Sequence, residues 1–285
     1  MVLCCMITFT KSVVKSSLVS PVFTFIYGQL FMTLTRGILR HLFRLTAIAI
    51  LAVCAAQPAF SSQEPKAVLR YNLGGTQSWV PYGYFGDPDR PGIFAEVIEL
   101  ILQRTGDPYQ FYYYPPKRAG KAFKEGRLDL DFMSPSWFKN GDMGDEYVTT
   151  TTIFSLTEYV VTLPDNASRY SKPECIEGKR VGTVAGYNYY DEDKFTRVDF
   201  LSESALVEGL KKRRFDMVIL EGITAQYWAN VYKVPISLAS VHSQGGIVIR
   251  IRKQLSYLLP EFNSAIEALK REGKIEKILQ SYDGI

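Results

Sequence analysis

The chain has 285 residues, 47% of them hydrophobic and 22% charged, with a formal net charge of +4. Those proportions exclude a disordered or coiled-coil chain and leave room for about two domains at roughly 150 residues each. The positive charge sits in one place: residues 1–62 contain Lys11, Lys15, Arg36, Arg40 and Arg44 and no acid. Of the 33 basic residues those five belong to the leader, which leaves 28 against 29 acids in the rest. Nucleic acid is therefore not an expected partner, because neutralising phosphates needs a basic face.

From Met32 the sequence shows a basic stretch, an apolar run from Leu45 to Ala56, and then Gln-Pro-Ala-Phe-Ser-Ser. This is the pattern of an export signal, with cleavage expected near Ala59-Phe60-Ser61. The run is shorter than the roughly 20 residues that cross a bilayer as a helix; an uncleaved anchor is the other reading. A lipid anchor at Cys54 is not favoured, since Val53 precedes it where a small residue is expected. Residues 1–31 hold a separate apolar stretch, so the start is expected at Met32 and residues 1–62 are read as leader. The rest of the chain is expected in the periplasm. Only Cys175 and His242 remain beyond the leader, 67 positions apart. No internal disulfide can form there, and neither a metal site nor a Ser-His-Asp or Cys-His nucleophile is expected. No cofactor is expected either.

In chain order, Val68 to Leu73 reads as a strand, followed by a loop with Trp79, Pro81, Tyr82, Tyr84 and Phe85. Phe94, Val97, Ile98, Ile101 and Leu102 recur at helical spacing up to Gly106. Gln110 to Tyr114 reads as a strand whose rings alternate between faces. Pro115-Pro116 opens a helix to Phe123, and Leu128 to Met133 is a third strand. The β-α-β-α-β order predicts a parallel sheet with right-handed crossovers. A long strand over 151–163 leads to a second such unit. Its strands are expected at 179–184, 197–201 and 215–220, with a helix from Ser202-Glu203-Ser204-Ala205 to Arg213 and another through Tyr227 and Trp228. Strands at 236–239 and 246–251 and two helices, 258–271 and 275–282, complete the chain. Gly245-Gly246 suits either a hinge or an ordinary turn into a strand.

Five segments then carry a resemblance. They are Pro91-Gly-Ile-Phe-Ala-Glu-Val-Ile-Glu-Leu100, Lys124-Glu-Gly-Arg-Leu-Asp-Leu-Asp131, Gly178-Lys-Arg-Val-Gly-Thr-Val-Ala-Gly-Tyr187, the run from Ala205 to Glu221, and Phe262 to Leu279. In this order, behind an export signal, they resemble the periplasmic solute-binding proteins of ABC importers, of the polar-amino-acid type, over roughly 66–285. The resemblance implies an α/β protein of two lobes, each a mostly parallel sheet flanked by helices, with two crossover strands as hinge. Lobe 1 would be 66–163 plus 244–285 and lobe 2 would be 164–243. It implies a monomer that closes over a small polar ligand, delivers it to a membrane permease, and is not an enzyme.

In that family a Thr-x-x-Arg pattern after the third strand supplies an arginine for the ligand's carboxylate. Here the segment reads Ser134-Pro-Ser-Trp-Phe-Lys139 and has no arginine. Lys139 could act as a point charge without the planar fork of a guanidinium; Arg118 is the other basic candidate, or else a solvated helix charge. Glu221 stands where the family places an aspartate for the ligand's ammonium. It is expected on a surface-like cleft wall, so that its loss would change stability by no more than about 1 kcal/mol. Trp79, Tyr82, Trp137 and Tyr187 are expected as rings in the cleft, able to stack on a flat or cationic ligand. Two alternatives stay open: a dehydratase-like enzyme on the same fold, with Glu221 or Asp131 as general acid, and a ligand sensor for a membrane receptor. Asn166-Ala-Ser168 and Lys211-Lys-Arg-Arg214 are read as a chance glycosylation match and a solvated helix end.

Overall fold

The computed structural model describes residues 66–74, 79–83 and 90–282. The leader, Cys54, Tyr84 and Phe85 lie outside the described residues. Residues 65–285 pack as one unit.

Three short strands open the fold: β1 (Leu69–Asn72), β2 (Tyr109–Tyr112) and β3 (Leu130–Met133). The connections are α1 (Ile93–Thr105) and α2 (Pro116–Lys124). As the alternation of elements predicts, β1 lies between the other two and parallel to both, with Leu69 beside Tyr109 and Tyr71 beside Leu130. Helix α1 forms because Phe94, Val97, Ile98, Ile101 and Leu102 share one face, and all are buried. Pro116 occupies the first helical position of α2, where its missing N–H costs nothing. The ring-rich strand alternates as expected. Tyr109 and Phe111 lie against the main cluster, while Tyr112 and Tyr114 cover Ala122, Phe123 and Leu128.

Short 3-10 turns at Pro135–Trp137 and Lys139–Gly141 follow, then β4 (Tyr147–Thr149) and β5 (Phe154–Thr162). The second unit contains β6 (Arg180–Val184), β7 (Thr196–Phe200), α3 (Glu203–Lys211), β8 (Met217–Glu221) and α4 (Gly222–Tyr232). Strand β6 is parallel to β7 and β8. The chain ends with β9 (Ser237–Arg252), α5 (Leu259–Arg271) and α6 (Lys274–Ser281). Among the described residues the strand order is β2-β1-β3-β9-β5-β8-β6-β7, with β4 also on β9.

One expectation fails here. Two strands broken by Gly245-Gly246 are in fact a single 16-residue strand, in which Gly245 pairs with Leu156 and Gly246 with Ser155. The glycines make room rather than a turn. A Cβ on Gly245 would stand 2.6 Å from the hydroxyls of Ser134 and Ser136, and one on Gly246 would stand 2.5 Å from the Thr152 side chain. Such contacts cannot be relieved without moving a neighbour.

Two large apolar clusters lie at the two ends of this arrangement. One joins Tyr71, Phe94, Ile98 and Phe132 to Ile249 and Phe262. The other joins Val161, Val184, Leu206, Val218 and Trp228. Strand β5 serves two clusters of the second unit at once: Val161 faces this one while Val160 faces a smaller cluster with Ile176 and Met217.

Candidate functional site

Beyond β1, the loop Trp79–Gly83 returns to the body of the protein. The Trp79 ring is the centre of a group of aromatics. Its centroid lies 5.4 Å from Tyr82, 5.0 Å from Phe94, 5.4 Å from Trp137 and 5.9 Å from Tyr187. All four rings expected in the cleft are thus together. They arrive from separate places: Trp79 and Tyr82 from the loop after β1, Trp137 from the 3-10 turn after β3, and Tyr187 from the turn after β6. The Tyr187 turn depends on Gly186, which has φ 94 and would place a Cβ 2.7 Å from the Lys117 Cα at the start of α2. Only glycine meets both demands. The indole N–H of Trp137 is buried without an acceptor.

Two carboxylates join these rings. Glu203 is the first residue of α3, and the turn before it is closed by Ser202, which accepts from the Ala205 amide at 3.2 Å. One Glu203 oxygen accepts the Trp79 amide N–H at 3.0 Å, and the other accepts the Tyr187 hydroxyl. Glu203 is 1% exposed. Burial raises its pKa, and the hydrogen bonds from Tyr187 and Trp79 work against that rise. Burial, with Glu203 beside it, lifts the Tyr187 phenol well above its ordinary value. The sequence did not mark Glu203 as a site residue. The one available signal was its place at a capped helix start, where an acid is favoured for the helix dipole alone.

Glu221 ends β8 and caps α4, accepting the Thr224 amide at 2.9 Å. The Tyr82 hydroxyl is a further hydrogen-bond partner, and burial raises the Glu221 pKa against these bonds. The expected surface-like position is therefore corrected. Glu221 is 6% exposed and holds a helix N-terminus, so its removal costs a cap.

Both basic candidates are exposed. Arg118 is exposed in the first turn of α2 and forms no ion pair or hydrogen bond among the described residues. Lys139 is exposed and paired with Asp193 at 2.8 Å. Asp131, the alternative general acid, is committed to Arg250, which bonds both its oxygens at 3.1 and 2.8 Å. Burial raises the Asp131 pKa, and the pairing with Arg250 works against that rise.

A second buried polar group lies on β5 and β9, and sequence reasoning missed it. Glu158 faces Ser243 across the strands and accepts its hydroxyl at 2.6 Å. The His242 ring has Nε2 2.9 Å from Asp191 and Nδ1 4.0 Å from Glu158. Beside it opens a groove of about 500 Å³, lined by Pro135, Ser136, Phe138, Tyr190, His242 and Gln244, among others. Burial pushes the Glu158 carboxyl up to about 7, against the Ser243 bond and the His242 charge. Its ordinary value is near 4.5, so between these two values the folded chain keeps a proton that the unfolded chain releases. Stability from this group is complete below about pH 4.5 and declines as pH rises to about 7, by up to roughly 1.4 kcal/mol per pH unit. Glu158→Gln should flatten that decline in urea denaturation run from pH 5 to 8. An unchanged slope would show that Glu158 does not govern it.

Taken together, the rings and buried carboxylates can bind N–H donors and cations. Among the described residues no cluster of His, Cys, Asp and Glu could hold a metal ion, and no helix is long and apolar enough to cross a membrane.

No family model matches the chain. It is 22% identical over 249 residues to the arginine-binding extracellular protein ArtP of Bacillus subtilis (strain 168), covering 81% of this chain and 92% of that one. The solved structure of an ancestral arginine-binding protein bound to arginine superposes with a TM-score of 0.62 at 19% identity, over 78% of this chain and all of that one. A histidine kinase sensor domain with similarity to periplasmic binding proteins gives 0.64 at 16% identity, over 78% and 98%. The chain has the periplasmic-binding-protein fold and is similar in sequence to an extracellular arginine-binding protein.

Proposed function

We propose that the chain is an exported binding protein that captures a small polar solute, an amino acid or a related amine or organic acid, and presents it to the membrane permease of an ABC-type importer. The observation that carries this reading is the meeting of Trp79, Tyr82 and Trp137 with Tyr187, Glu203 and Glu221 at one place. The first three come from the unit built on β1–β3, the last three from the unit built on β6–β8. A solute held there touches both units, so it favours the closed arrangement by the contacts made only in that state. In this reading 66–163 plus 244–285 and 164–243 are two lobes, with β5 and β9 as their connections.

The chemistry favours a ligand with a positive end. Glu203 and Glu221 offer buried acceptors, and the surrounding rings present faces that attract cations. The unpartnered Trp137 indole N–H and the exposed Arg118 suit an acceptor such as a carboxylate at the other end. This agrees with the arginine named for the relatives. Lys139 serves as an outer clasp with Asp193 rather than as a ligand contact. The leader directs the protein to the periplasm, where it acts as a monomer.

Thermal-shift screening against amino acids, polyamines and organic acids tests the reading. A solute that raises the melting temperature and is recovered unchanged supports it. A stabilising solute that is consumed would support the dehydratase-like alternative, and failure of every solute class to stabilise the protein would overturn the binding role.

A further inference from the structure

Three residues within four positions of the loop after β1 have three different surroundings. Tyr82 is buried in the cluster built on β1–β3. Val80 is fully buried in the other cluster, among residues such as Val161, Val184 and Leu206. Trp79 stands between, with its ring 5.4 Å from Trp137 on one side and 5.9 Å from Tyr187 on the other. Its backbone is in the left-handed region at φ 49, which a large side chain adopts only when its surroundings hold it there. Its amide N–H is the donor to Glu203, whose second oxygen is held by Tyr187.

Within the proposed binding site, then, the chain's own loop presents a flat ring to the aromatic faces and an N–H to the buried carboxylate. Those are the features expected of a cationic or aromatic nitrogen-bearing solute. We propose that Trp79 and Val80 form a built-in latch that closes the two units without ligand, and that solute binds by displacing Trp79 from Glu203, Tyr187 and Trp137. This rests on the two-lobe reading given above. Its consequence is that the latch lowers apparent affinity by the fraction of time it is shut, and that a solute needs both a ring-like or cationic face and an N–H donor to compete.

The test needs no ligand, so it can fail separately from the binding role. Small-angle scattering of the ligand-free protein should give a larger radius of gyration and maximum dimension for a Trp79→Ala, Val80→Ser double variant than for the parent. Superposable curves from a folded variant would overturn the latch. Hydrogen exchange supplies a measurement on the unmodified chain, should the double variant fail to fold. The amides of Trp79 and Gly83, which donate to Glu203 and to the Trp79 carbonyl, should be protected in the parent, and Glu203→Gln should speed their exchange by about tenfold, as expected for loss of a charge-assisted hydrogen bond, while β5 and β9 keep their rates. Unprotected amides in the parent, or equal acceleration throughout the chain, would equally overturn it.

Discussion

Replacing Arg250 by alanine is expected to lower stability by about 3–5 kcal/mol, the cost of breaking a buried ion pair from one side. Arg250 lies on β9 and reaches across to β3, where its Nε and Nη2 meet the two oxygens of Asp131. The guanidinium also lies 4.6 Å from the Tyr147 ring centre and 4.7 Å from that of Phe123. Removing it would strand a carboxylate whose pKa burial already raises, and would leave the stacked rings without the cation beside them. Urea denaturation reads the effect directly. A loss below about 1 kcal/mol would place this pair with the exposed ion pairs, whose contributions are of that size. Adding Asp131→Asn to Arg250→Ala should recover part of the loss, because the stranded charge is then gone.

Replacing Glu221 is expected to have the largest effect on ligand binding. In calorimetry, Glu221→Ala should abolish binding of whichever amino- or guanidino-bearing solute stabilises the parent. The same change should also cost about 1–2 kcal/mol of stability, because the Thr224 amide loses its cap. Glu221→Ser separates the two roles. Serine is a good cap, so stability should return while binding stays lost. Unchanged affinity in either variant would remove Glu221 from the site.

Much of the architecture could be read from the residues. The helical spacing in α1, the Pro-Pro opening of α2 and the β-α-β-α-β order were all legible, because each is a local pattern that the parallel sheet requires. The strand β9 was not, because glycine signals a turn unless its neighbours are known, and here the neighbours are Ser134, Ser136 and Thr152 from distant positions. In the site, the aromatic residues announced themselves by type: four rings placed after strand ends did meet. The charges misled. Lys139 and Asp193 are 54 positions apart, and nothing in either segment indicates that they pair. Glu203 looked like an ordinary first-turn acid, and its burial depends on Trp79, which lies 124 positions earlier. Glu158, Asp191 and His242 were invisible for the same reason. A buried carboxyl is recognised by what surrounds it, and these surroundings are assembled only by folding.

Strand β9 has a mechanical consequence. It pairs with β5 from Ser237 to Ile247, and its remaining residues are gripped by β3 and β4. Neither end of the molecule has a private boundary, since the same backbone edges both. A force or a thermal fluctuation that frays one end must therefore tug on the other, and heating should melt the chain as one cooperative body rather than as two modules in succession.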